Sequence, residues 1–202
     1  MTKLMVVYAH LEVFLTNFEM LVIRYKEFEK INCMCNNGKL NIHDKEIHVR
    51  LLTYLDIILV QLRAMCIENK NLKNNFTLQN ILIELGEEGL AGEVDKMLDE
   101  PFLFLPWEEG GKRTENMSIK SSIKFLSDKF ICHYDYFDKY KDFDPSRAGL
   151  IEVKLRNPYE KVNLDYIINK IIAIVEQGLS LHREKRVPSK NLSCPSPGPK
   201  DV

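Results

Sequence analysis

Near the N-terminus, apolar residues return every three or four positions: Leu4, Val7, Leu11, Phe14, Phe18, Leu21, Tyr25 and Phe28. That 3.6-residue period predicts a long amphipathic helix over about residues 4–31. Asn36-Asn37-Gly38 ends it, because asparagine and glycine tolerate left-handed backbone. A second stripe, Ile47, Leu51, Tyr54, Leu55, Ile58, Leu62 and Met65, predicts a helix from an N-cap at Asp44 to about residue 69. Leu78, Ile81, Leu82 and Leu85 follow as a shorter helix capped by Thr77. Gly86, Gly89 and Gly92 then weaken helical propensity, leaving room for a further turn or two through Val94 and Leu98.

Pro101, Pro106, Gly110 and Gly111 predict an irregular excursion, with Phe102, Phe104 and Trp107 able to pack back as a cover over the body. A helix over 116–140 carries Ile119, Ile123, Leu126, Phe130 and His133 on one face. Asp144-Pro145-Ser146 reads as a turn, and 151–155 has no helical stripe. The last helix spans about 164–183, with Asn163 as its cap and Leu164, Ile168, Ile171, Val175 and Leu179 inward. Beyond Arg186 stand Pro188, Pro195, Pro197 and Pro199, half of the chain's eight prolines, so 187–202 reads as a disordered tail. The expectation is an all-α protein: one domain over 1–186, an antiparallel helical bundle of four long helices plus one or two short ones.

Charge changes this picture little. With 28 basic and 29 acidic residues the net charge is -1, which removes a global electrostatic case for nucleic acid or anionic membrane and leaves only local patches. Five cysteines, an odd number, do not describe a disulfide framework. Cys33-Met34-Cys35 lacks a second Cys/His pair at zinc spacing, and His43 and His48, at i and i+5, do not share a helical face. No metal and no cofactor are expected. Glu12, Glu19 and Arg24 interrupt the apolar N-terminal stretch before it could span a bilayer, and no secretory pattern stands there. A soluble cytoplasmic chain without a membrane partner is the expectation.

The chemistry concentrates around residues 127–135. His133 falls three residues after Phe130, on the apolar stripe, and a buried imidazole must find a partner, bind a ligand or move protons. Ser127-Asp128-Lys129-Phe130-Ile131-Cys132-His133-Tyr134-Asp135 resembles the signature of the HEPN superfamily (higher eukaryotes and prokaryotes nucleotide-binding), closest to its abortive-infection branch. That signature is an arginine, a polar residue, a short spacer and a histidine on a late helix of a helical bundle. The resemblance in helix order covers about 1–185, while the sharp match covers about fifteen residues. It implies metal-independent RNA cleavage, with His133 as the proton-transferring group and Asp128 at the polar position. It also implies a homodimer, an RNA substrate and an antitoxin or other protein partner. Ser127 stands where the arginine would be, which removes the guanidinium that holds phosphate oxygens as charge develops. Lys129, one turn before His133, is the nearest replacement in sequence; Lys124 and Arg113 are the further candidate phosphate ligands.

Two functions therefore compete. One is a HEPN-like RNA-associated domain of a defence or toxin–antitoxin system, either a weak ribonuclease or an inactive binder. The other is a non-enzymatic helical dimer acting as an interaction module, favoured by Ser127, by the neutral charge and by Trp107 as an aromatic anchor.

Overall fold

Spacing of apolar residues and a handful of caps account for most of the backbone in the computed structural model, which describes residues 3–68, 77–106, 114–131 and 145–185. Helix α1, Lys3–Asn36, buries Leu11, Phe14, Phe18, Leu21, Tyr25 and Phe28 on one line. Its end is set by Gly38 at φ +67, a left-handed position open to glycine. The amide of Lys39 then donates to Met34 O at 2.9 Å, and that of Gly38 to Cys35 O at 3.0 Å, satisfying the last carbonyls. Helix α2, Lys45–Leu62, starts where the Asp44 carboxylate accepts from Glu46 N at 2.9 Å and Ile47 N at 3.3 Å. It buries Leu51, Leu55, Ile58, Leu59 and Leu62.

At Arg63–Ile67 the helix widens into a first π segment, closed by Glu68 N donating to Arg63 O at 2.9 Å. Thr77 caps α3, Leu78–Glu84, and α4 is a full helix, Glu88–Leu98, rather than the turn or two expected. Its buried line, Leu90, Ala91, Val94, Met97 and Leu98, outweighs the cost of Gly89 and Gly92.

The excursion at 101–118 is partly a hairpin, a correction to the irregular loop expected. Strand β1, Pro101–Pro106, pairs antiparallel with β2, Thr114–Ser118, with Leu103 opposite Met117 and Phe104 opposite Asn116. The prolines that argued against a strand sit at its two ends, where the ladder needs no N–H from them. Trp107 and Arg113 lie outside the described residues.

The helix expected over 116–140 is corrected as well. Asn116–Ser118 belongs to β2, the α-helix is α5, Ile119–Phe125, and a second π segment, Leu126–Ile131, follows. The remainder of that expected helix lies outside the described residues. Helix α6, Pro145–Arg156, occupies 151–155, where no helical stripe was expected, and buries Ala148, Ile151 and Leu155 at helical spacing. Helix α7, Leu164–Lys185, is capped by Asn163, whose side chain accepts from Tyr166 N at 2.8 Å. The tail expected at 187–202 lies outside the described residues.

The described chain is thus mostly helical with one two-stranded sheet, and one buried cluster runs from Leu11 to Leu179. α1 packs on α2, α4 on α3 and α7, and the second π segment packs on α2 and α6. No helix among the described residues is long and apolar enough to cross a membrane.

Candidate functional site

The second π segment brings together Ser127, Asp128 and a residue that the sequence had not singled out, Arg63. Position 127 is fully buried. The Ser127 hydroxyl donates to Ile123 O at 2.7 Å, with Lys124 O also near at 3.2 Å. This bond back to the preceding turn occupies a carbonyl at the point where α5 gives way to the wider helix. The Ser127 oxygen also accepts from Arg63 Nη1 at 3.2 Å. The same Nη1 donates to the Asp128 carboxylate, forming an ion pair between residues 65 positions apart.

Arg63 is the first residue of the first π segment, so the contact joins two helices at the points where both depart from α geometry. Its side chain is 22% exposed and Asp128's 41%, which places the pair at the edge of the core. Arg63 Nε stands 3.6 Å from Glu68 Oε1, an ion-pair separation beyond hydrogen-bond reach, and is itself buried. Nη2 makes no hydrogen bond among the described residues.

Of the residues expected at the site, Asp128 is therefore placed against a guanidinium from another helix. Lys124 is exposed on the last turn of α5 and makes no ion pair among the described residues. The backbone of Lys129 belongs to the second π segment. His133 and Arg113 lie outside the described residues. Sequence reasoning missed Arg63 because it sought a cation on the helix of Ser127 or in the loop just before it, whereas this one is 64 residues away.

Asp56, two turns before Arg63 on the same side of α2, extends the polar strip. Burial pushes its carboxyl up to about 6. Burial also raises Glu152 of α6; Arg156, one turn on, pulls it back, and Asp56 adds to the rise. Glu152 went unnoticed because it stands in a segment not read as helical, and without it nothing marked Asp56 out on α2.

A second polar cluster joins α1 to α6 and α7. The Tyr25 hydroxyl donates to Asp165, and Asn32 Nδ2 donates to Arg156 O at 3.1 Å. Burial first, then the bond to Asp165, pushes Tyr25 well above the ordinary phenol range, so it holds its proton at any physiological pH. The adjoining cleft encloses about 130 Å³, below the roughly 300 Å³ at which small-molecule sites usually begin. This cluster reads as a tie between helices. Among the described residues no three His, Cys, Asp or Glu side chains converge as a metal site would require.

No protein-family model, curated protein or solved structure matches this chain.

Proposed function

We propose that the chain is a HEPN-like RNA-associated domain in which Arg63 supplies, from α2, the guanidinium that Ser127 cannot. The observation that carries this reading is the contact of one Arg63 nitrogen with both Ser127 and Asp128, the first two positions of the motif-like segment. A charge held by a hydrogen-bonded carboxylate is preorganised, and its remaining N–H groups can take phosphate oxygens as negative charge builds. In this reading His133 moves the proton of the ribose 2′-hydroxyl, and Asp128 fixes the direction of the Arg63 fork. The reaction class is metal-independent RNA cleavage in a defence or toxin–antitoxin setting, with an antitoxin-like protein as a further partner.

The test is RNA binding and cleavage at low salt by the wild-type chain, R63A, R63K and H133A. R63A should lose on the order of 10²–10³ in cleavage rate, and R63K should recover only part, since an ammonium lacks the planar fork. A wild-type protein that neither binds nor cuts RNA removes the reading.

A second reading, a non-enzymatic interaction module, is favoured by the same ion pair taken as closed: Asp128 already neutralises Arg63. In that case R63A lowers thermal stability and leaves RNA binding unchanged.

A further inference from the structure

Helix α1 carries two apolar lines, and among the described residues one is buried and the other exposed. Lettered as a heptad, the buried residues Leu11, Phe14, Phe18, Leu21, Tyr25 and Phe28 occupy a and d. Positions c and f form a second line at the same alternating spacing of three and four: Ala9, Val13, Thr16, Met20 and Ile23, all exposed. Val13 is 57% exposed, Met20 41% and Ile23 55%, more than scattered surface residues at that spacing require. The Thr16 hydroxyl donates to Glu12 O at 3.0 Å, so its polar group is satisfied within the helix and its methyl is left for packing. The line runs about 21 Å at 1.5 Å per residue. A strict three–four repeat keeps a continuous seam toward another helix, which points to a helical partner rather than a flat or irregular one.

The flanking charges choose the partner. One flank holds Glu12, Glu19 and Lys26; the other holds His10, Asn17 and Arg24. In a parallel in-register pair, each flanking residue meets the one five positions later on the other chain. Glu19 then meets Arg24, twice by symmetry, and Glu12 meets Asn17. In an antiparallel pair each flank meets itself, which sets Glu19 beside an acidic edge and Arg24 beside His10. Neither Glu19 nor Arg24 makes an ion pair among the described residues. The same surface thus complements itself about a two-fold axis running along α1.

We propose that the outer seam of α1, Ala9 to Ile23, is where two copies of this chain pair, with their first helices parallel and in register. This surface is independent of the phosphate-site reading and stands whether or not the chain touches RNA. Small residues at Ala9 and Thr16 let the helices approach closely but bury little area, so the pair forms and dissociates with concentration.

Sedimentation equilibrium of the whole chain over a wide concentration range tests it. The wild type should shift from monomer to dimer. V13E/M20E, which alters exposed positions only, should raise the apparent dissociation constant roughly tenfold or more. At a concentration where the wild type is monomeric, its helicity and melting temperature should match the wild type's, which separates lost pairing from lost folding. E19R and R24E should each weaken self-association, and mixing these two variants should restore it, because each then meets an opposite charge. Mild oxidation of M20C should link the introduced thiols to each other, identified by peptide mass because Cys33 is also exposed. A chain that stays monomeric at every concentration overturns the proposal. So does a dimer indifferent to V13E/M20E, or one in which the mixed charge variants fail to rescue.

Discussion

Position 127 lies inside the protein, where an arginine side chain could not keep its charge hydrated. A serine fits because its hydroxyl has Ile123 O to donate to and Arg63 to accept from. Ser127→Ala should therefore cost about 1–3 kcal/mol in chemical denaturation, since it removes two hydrogen bonds at once, one of them from a charged guanidinium, while Ile123 O keeps the Leu126 amide and Arg63 keeps Asp128. Asp56 makes a different case. Its folded carboxyl, at about 6 against an ordinary 3.8, is raised, so folding favours its protonated form. The stability this contributes is complete below about pH 3.8 and is lost as pH rises through about 6. At pH 7 the buried charge is a burden, and Asp56→Asn should stabilise by about 1–2 kcal/mol after discounting for partial exposure. The gain should vanish near pH 4; an equal gain at both pH values would show that burial of the charge is not the cause. Arg63 itself was visible in the sequence only as a cation beside the α2 stripe. What made it a site residue was its neighbour, and no local signal names a neighbour 64 positions away.

At the scale of elements, α7 comes close to α3 and α4 at Gly178. A Cβ there would stand 2.6 Å from Leu82 Cδ2 and 3.1 Å from Leu90 Cδ1. Leu82 is fully buried, so its methyl has little room to move. Gly178→Ala gains up to about 1 kcal/mol of helix propensity, but overpacking of this kind costs about 1–3. A net loss of about 1 kcal/mol, read as a lower melting temperature, is expected; a rise would mean that the two helices part easily. The caps at Asp44, Thr77 and Asn163 and the stop at Gly38 were legible in the sequence, because each acts within one turn of itself. Helix α6 was not, for a physical reason. It buries Ala148, Ile151 and Leu155 but exposes Leu150 at 40% and Val153 at 55%, so its apolar residues lie on both sides and its period is blurred. Helix α1 has the same double character, yet its length let the a/d line stand out. The hairpin hid behind Pro101 and Pro106, which mark a strand's ends as readily as a loop.

For the molecule as a whole, near-zero net charge sets the expected form of any RNA binding. With Arg63 and one or two lysines carrying the contact, the logarithm of affinity should fall against the logarithm of salt with a slope of only about 1–2. A much steeper slope would require a basic surface elsewhere on the chain. The sequence by itself determined the mainly helical content, the inner face of α1 and α2 and most of the helix starts, because periodicity and capping are local and recur within a turn. Tertiary structure alone decided that Ser127 faces the core, that Arg63 reaches it from another helix, and that Asp56 lies near Glu152. Those meetings depend on how α2, α5 and α6 pack, and on two π segments that shift the helical register by a fraction of a turn. The outer line of α1 belongs to both: its spacing is written in the sequence, and only the fold shows that Val13, Met20 and Ile23 are exposed.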